Sequence, residues 1–170
     1  MTEELSIKGI VKEIHEAFAD VSRPEDSQIA PFEVDEDTLD CDEKDAWLAL
    51  RGKQWDELDS SYIYKNYDAI YFITPSAFLY FFPAFLLAVV NKFDPEELLT
   101  YCLVTIAKAS SRDVNDHWYE NILLLNEVQL RAFASVMRYF DTYYPEAFDS
   151  EIDNLEAAIK NLERLMEGGI

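Results

Sequence analysis

From Ala69 to Val90 the chain runs for 22 residues without a charge, AIYFITPSAFLYFFPAFLLAVV. So long an apolar stretch has to leave water, and it can do so in a bilayer or in the middle of a globular core. The prolines within it favour the core. Thr74 followed by Pro75 reads as a helix start, with the hydroxyl as cap and proline at the first position, where its missing N–H is no loss. About 16 helical residues then remain, roughly 24 Å at 1.5 Å per residue, which is short of a ~30 Å hydrocarbon layer. The flanking Lys65 and Lys92 give no positive-inside bias. The segment is therefore expected to be the central helix of a globule rather than a membrane span. Pro83 should kink it by removing the hydrogen bond to the Leu79 carbonyl.

The rest of the chain supplies helices to surround this one. Ile7, Ile10, Val11, Ile14, Ala17, Phe18 and Val21 recur at three- and four-residue spacing, which predicts an amphipathic helix over roughly residues 3 to 20. Pro24 and Pro31 interrupt it, and an acidic loop is expected over about residues 22 to 42. A second helix from Asp42 would carry Trp47, Leu48 and Leu50 and end or kink at Gly52. Ala69 to Ile73 could form a short strand, since five apolar residues leave the period open. Asp94-Pro95-Glu96-Glu97 is a helix start, Ser110 to Asp116 a loop, and Asn126 with Gln129 a capping pair. A last helix, capped by Ser150 and ended by Gly168 and Gly169, carries the narrow stripe Ile152, Leu155, Ile159, Leu162 and Met166, with the first helix as its expected neighbour. The expected fold is all-α: a single domain over residues 1–170, a bundle of about six helices around the Pro-kinked apolar one.

Charge narrows the function. Thirty-four acidic residues against 14 basic ones give a net charge of -20. A polyanion repels phosphate backbones, so nucleic acid is not an expected partner, and anionic membrane surfaces are disfavoured by the same sign. A basic protein partner is the complementary expectation. The acids concentrate at Glu33, Asp35, Glu36, Asp37, Asp40, Asp42, Glu43 and Asp45, with Lys44 the one base among them. This run is the candidate partner surface; as a solvated loop it would need no partner at all.

Catalytic and metal chemistry finds little purchase. Cys41, Cys102, His15 and His117 lack zinc-site spacing, and no Glu-x-x-His pair is present for a di-iron centre. Loops starting at Asp35 or Asp113 place Asp40 or Trp118 where an EF-hand needs glycine. Neither a metal nor a cofactor is expected. His117, beside Trp118 and after Asp113 and Asp116, with Tyr119 following, is the one cluster that could mark an enzyme pocket. Cys102 on an apolar face reads as core, because such a setting suppresses the thiolate. With two cysteines and no basic-then-apolar leader at its start, the chain is expected in the cytoplasm.

Trp55, followed by Phe72, Thr74, Pro75, Phe78, Tyr80, Pro83 and Ala84, resembles the pattern of an uncharacterised family of small bacterial proteins: a tryptophan, then aromatic-Leu-Thr-Pro-x-x-Phe-x-Tyr-x-x-Pro-Ala. The resemblance covers roughly residues 43 to 92 and, more faintly, 126 to 143, including Gln129. In that family the places of Ser76 and Leu79 are often glutamate and arginine, so the resemblance carries no polar role for that helix face here. It implies a helical domain with a suspected place among bacterial toxin-immunity proteins, which are often acidic because many of their targets are basic nucleases. Read from the residues alone, Trp55, Phe78 and Tyr80 are packing side chains.

The leading expectation is a non-enzymatic acidic module that binds a basic protein. The alternatives are an enzyme with a pocket near His117, and a structural subunit that self-associates through its aromatic middle or its final stripe.

Overall fold

A computed structural model describes residues 6–31, 41–92, 98–109, 117–145 and 152–168. They form eight α-helices and three short 3-10 turns, with no strand among the described residues. The architecture is all-α, with two more helices than the periodicity showed: the six-residue α3 and α6 are too short to leave a period.

Helix α4 (Pro75–Asn91) is the centre. Thr74 caps it as the sequence indicates, its Oγ1 accepting from Ala77 N at 3.2 Å while donating to Gln28 O at 2.5 Å. Every side chain from Tyr80 to Val90 is buried. The helix continues through Pro83 as one element, and Leu79, whose carbonyl loses its donor there, is only half-buried. Phe82 stacks on Phe78 at 4.8 Å and meets Phe133 edge-on at 5.0 Å and Phe18 at 6.3 Å, which binds three helices into one aromatic core.

Around α4 lie α1 (Ile7–Phe18), α3 (Ser60–Lys65), α5 (Leu98–Lys108), α6 (His117–Ile122) and α7 (Glu127–Tyr143). Helix α1 is shorter than its periodicity suggested. Ser6 caps it, Ile10, Ile14 and Phe18 are buried, and Ile7 at the first position is left exposed. Asn126 and Gln129 form the expected reciprocal capping box of α7, at 3.0 Å in both directions. Helix α8 (Ile152–Met166) packs on α7 and α5, not on α1, which itself lies on α4 and α7. A narrow apolar stripe specifies the width of a contact but not which neighbour fills it. Ala69 to Ile73 is not a strand: Tyr67–Tyr71 winds as a 3-10 turn leading into α4. The helix starts expected at Asp94 and Ser150 lie outside the described residues.

The stretch expected as an acidic loop is structured in its first part. Asp26–Gln28 is a 3-10 turn, and Ile29 and Ala30 beside it are buried. Thr74 N donates to Ile29 O at 2.8 Å and Trp47 Nε1, from α2 (Cys41–Leu50), to Asp26 O at 2.9 Å, so this turn ties the start of α4 to the last turn of α2. Gly52, at φ +69°, reverses the chain after α2 and presents its N–H to Asp26 Oδ1 at 3.0 Å; only glycine takes that backbone shape without strain.

Candidate functional site

Of the acidic run, Glu33, Asp35, Glu36, Asp37 and Asp40 lie outside the described residues, as does Asp113. Asp42 and Glu43 sit in the first turn of α2, where carboxylates suit the positive end of a helix dipole, and Asp45 follows in the next turn. Asp42 and Asp45 are exposed and Glu43 is half-buried.

Asp42 does more than cap a dipole. It lines a cleft of about 650 Å³ formed where the start of α2, the Tyr67–Tyr71 turn and one face of α5 come together. Asp68 supplies a second carboxylate, and Tyr67, Tyr71, Phe72 and Tyr101 supply aromatic rings. Leu98 stands at the rim, 57% exposed, with Tyr71 and Tyr101 at 41% and 40%. Each residue is placed by a local cause. Tyr67 and Tyr71 are four apart in a tight turn, while Leu98, Tyr101 and Thr105 belong to the stripe of α5 that faces away from the core and ends at Lys108, outside the cleft lining. The floor is Cys102, whose thiol is hydrogen-bonded to the Tyr71 hydroxyl. Burial pushes that thiol up to about 11 against the opposing effect of the tyrosine, so it stays protonated and inert at neutral pH. Burial also raises the Tyr71 phenol, with the Cys102 contact adding to it. Trp118 of α6 supports Tyr71 from behind, its ring 5.0 Å away.

The lining thus combines carboxylates, aromatic faces and an apolar rim, with no Lys or Arg among its described residues. Such a surface attracts cations twice over, by Coulomb attraction and by the negative face of the rings. Its carboxylates repel an anion.

Apart from Phe72, which lines this cleft, the residues of the sequence pattern go elsewhere. Phe78 and Pro83 are core, Thr74 is the cap just described, and Pro75 is exposed at the first turn. Trp55 and Tyr80 are buried, as packing residues should be, but they also line a smaller cleft of about 440 Å³. There His15 lies 5.1 Å from the Trp55 ring and the Tyr80 hydroxyl donates to Gln54 Oε1. Arg23 borders it with all three nitrogens engaged: Nε donates to Lys53 O at 2.8 Å, Nη1 to Pro24 O at 3.1 Å and Nη2 to Asp26 Oδ1. This side chain is a strut between two loops.

Of the alternative pocket, Trp118 is buried against Tyr71 and Phe78, and the Tyr119 hydroxyl is buried without a hydrogen-bond partner among the described residues. Of the faces named for self-association, the aromatic rings of α4 are core, while in the final stripe Leu155 and Leu162 are buried and Ile159 and Met166 half-buried. Among the described residues no group of three metal-ligating side chains gathers, and no helix is long and apolar enough to cross a membrane.

A model of the family of unknown function DUF6714 matches residues 7–161, from the first turn of α1 into α8. The chain belongs to this family. That DUF6714 has no assigned function agrees with the resemblance to an uncharacterised family read from the sequence. No curated protein and no solved structure matches the chain.

Sequence reasoning reached the cleft from one side only. It singled out Asp42 but not Tyr67, Asp68 or Tyr101, and it took Tyr71 only as part of the uncharged stretch that begins at Ala69. A signal was present in α5, where Leu98 and Tyr101 fall out of phase with Leu99, Cys102, Leu103 and Ile106. An aromatic ring on the polar stripe of an amphipathic helix is the residue to question.

Proposed function

We propose that this DUF6714 protein is a non-enzymatic, cytoplasmic binding module that captures a basic protein, in the manner of an immunity protein, through the face formed by the start of α2, the Tyr67–Tyr71 turn and α5. The observation that carries the reading is the cleft, in which Asp42 and Asp68 share one lining with three tyrosines, on a chain of net charge -20. The whole-molecule field accelerates encounter with a cationic partner, and the cleft supplies short-range contact once it arrives. The acidic run that ends at Asp45 is continuous in sequence with the cleft wall at Asp42 and extends the same sign of charge.

The test is recovery of bound proteins from the native lysate with tagged protein, at 50 mM and 500 mM salt, in parallel with an Asp42→Asn/Asp68→Asn variant. A basic partner retained at low salt, and lost both at high salt and from the variant, is the expected result, because screening shrinks from about 10 Å at 0.1 M towards 3 Å at 1 M. A partner held equally at both salt concentrations contradicts the reading.

A further inference from the structure

We infer that the α2–α5 cleft selects an arginine side chain of its partner in preference to lysine. The inference rests on the reading that the partner is cationic, and it names the group that enters. A guanidinium is planar, weakly hydrated and carries five donors, so it can lie against an aromatic face while donating to carboxylates; an ammonium is a compact, strongly hydrated point charge. The cleft offers both kinds of contact in one lining, with Asp42 and Asp68 as acceptors and Tyr67, Tyr71 and Tyr101 as rings.

The same chemistry is already in use on this molecule. Arg51 sits 4.3 Å from the centre of the Trp47 ring, closer than Lys53 to Tyr62 at 5.4 Å or Lys92 to Tyr64 at 5.5 Å. In each of these places the chain provides its own cation. At the cleft, the described lining has rings and carboxylates but no basic side chain, so charge complementarity leaves that part to the partner. The volume of about 650 Å³ has room for a guanidinium and its methylene stem, and the exposed Leu98 at the rim suits the stem.

The experiment is calorimetric titration of the full chain, at low salt, with three synthetic peptides identical but for one central residue, arginine, lysine or citrulline, in a Gly/Ser context. The arginine peptide is expected to bind saturably, the lysine peptide at least fivefold more weakly, and the neutral citrulline peptide not measurably. Asp42→Asn/Asp68→Asn should weaken the arginine peptide about tenfold. Tyr101→Leu, at an exposed position, should cut the preference for arginine over lysine to below twofold. Equal binding of the arginine and lysine peptides would overturn the arginine inference and leave the cationic reading standing. Binding of the citrulline peptide as tight as that of arginine would overturn both. Failure of all three peptides to bind overturns the inference alone, and the salt-dependent recovery described above then decides the cationic reading separately.

Discussion

Two surface regions of this molecule bring carboxylates and aromatic rings together, and they differ in where the cation comes from. Around the Asp26–Gln28 turn, Arg23 and Arg51 belong to the chain: one bridges Asp26 to the carbonyls of Pro24 and Lys53, the other covers Trp47. In the α2–α5 cleft, Asp42 and Asp68 stand among tyrosines, with no base among the described residues of the lining. The first region is complete and serves stability. The second has the same components less one, and an interface is where such a remainder finds use. Charge pattern alone does not separate them, because an acid with a ring beside it reads alike in sequence whether or not an arginine folds back onto it.

Removing the internal cation should produce the largest effect on stability. Arg23→Ala deletes three hydrogen bonds, one to a carboxylate, and is expected to lower unfolding free energy by about 2–3 kcal/mol in urea titration. Binding at the cleft should be untouched. A loss below about 0.5 kcal/mol would mean that the strut is ornamental and would erase the contrast.

Next comes the link between that turn and the central helix. Thr74→Ala removes the α4 cap and the hydrogen bond to Gln28 O, with an expected cost of about 1–2 kcal/mol that Thr74→Ser largely restores. Thermal melts of the two variants would check it.

The cleft should behave in the opposite way. Asp42→Asn/Asp68→Asn is expected to change stability by less than about 1 kcal/mol, the scale of exposed charges and of a helix dipole, while abolishing salt-sensitive capture of the basic partner. A large destabilisation would move the cleft into the same class as the Arg23 strut.

The smallest effect is in acid. The backbone N–H of Gly52, and then Arg23, hold Asp26 below its ordinary 3.8. A depressed carboxylate stabilises the fold above its unfolded value and loses that contribution as pH falls through the folded one. Asp26→Asn should therefore flatten the stability profile below pH 3.8 and leave the difference between pH 6 and 8 unchanged, as measured by denaturant midpoints across pH.

How much of this could be read in advance follows from the range of each interaction. The Thr74-Pro75 start, the Asn126–Gln129 box and the Gly168 stop are local, complete within four residues, and were visible as such. The buried middle was legible because 22 uncharged residues leave few choices. What was hidden is long-range. Nothing within Leu155 or Leu162 names α7 and α5 as their neighbours, and the Tyr67–Tyr71 turn is too short to have a period. The cleft joins residue 42 to residues 67–72 and 98–105, so it exists only once the helices have packed. Beyond Asp42, only its α5 face left a trace, in Leu98 and Tyr101 lying out of phase.

Trp118 sits edge-on behind Tyr71, 3% exposed, with Phe78 on its other side. A guest that displaces the phenol must alter the surroundings of this indole, whose ultraviolet emission follows its local environment. Under the proposed reading the molecule carries a native optical gauge at the back wall of its cleft, read against the emission of Trp47 and Trp55 and needing no attached dye.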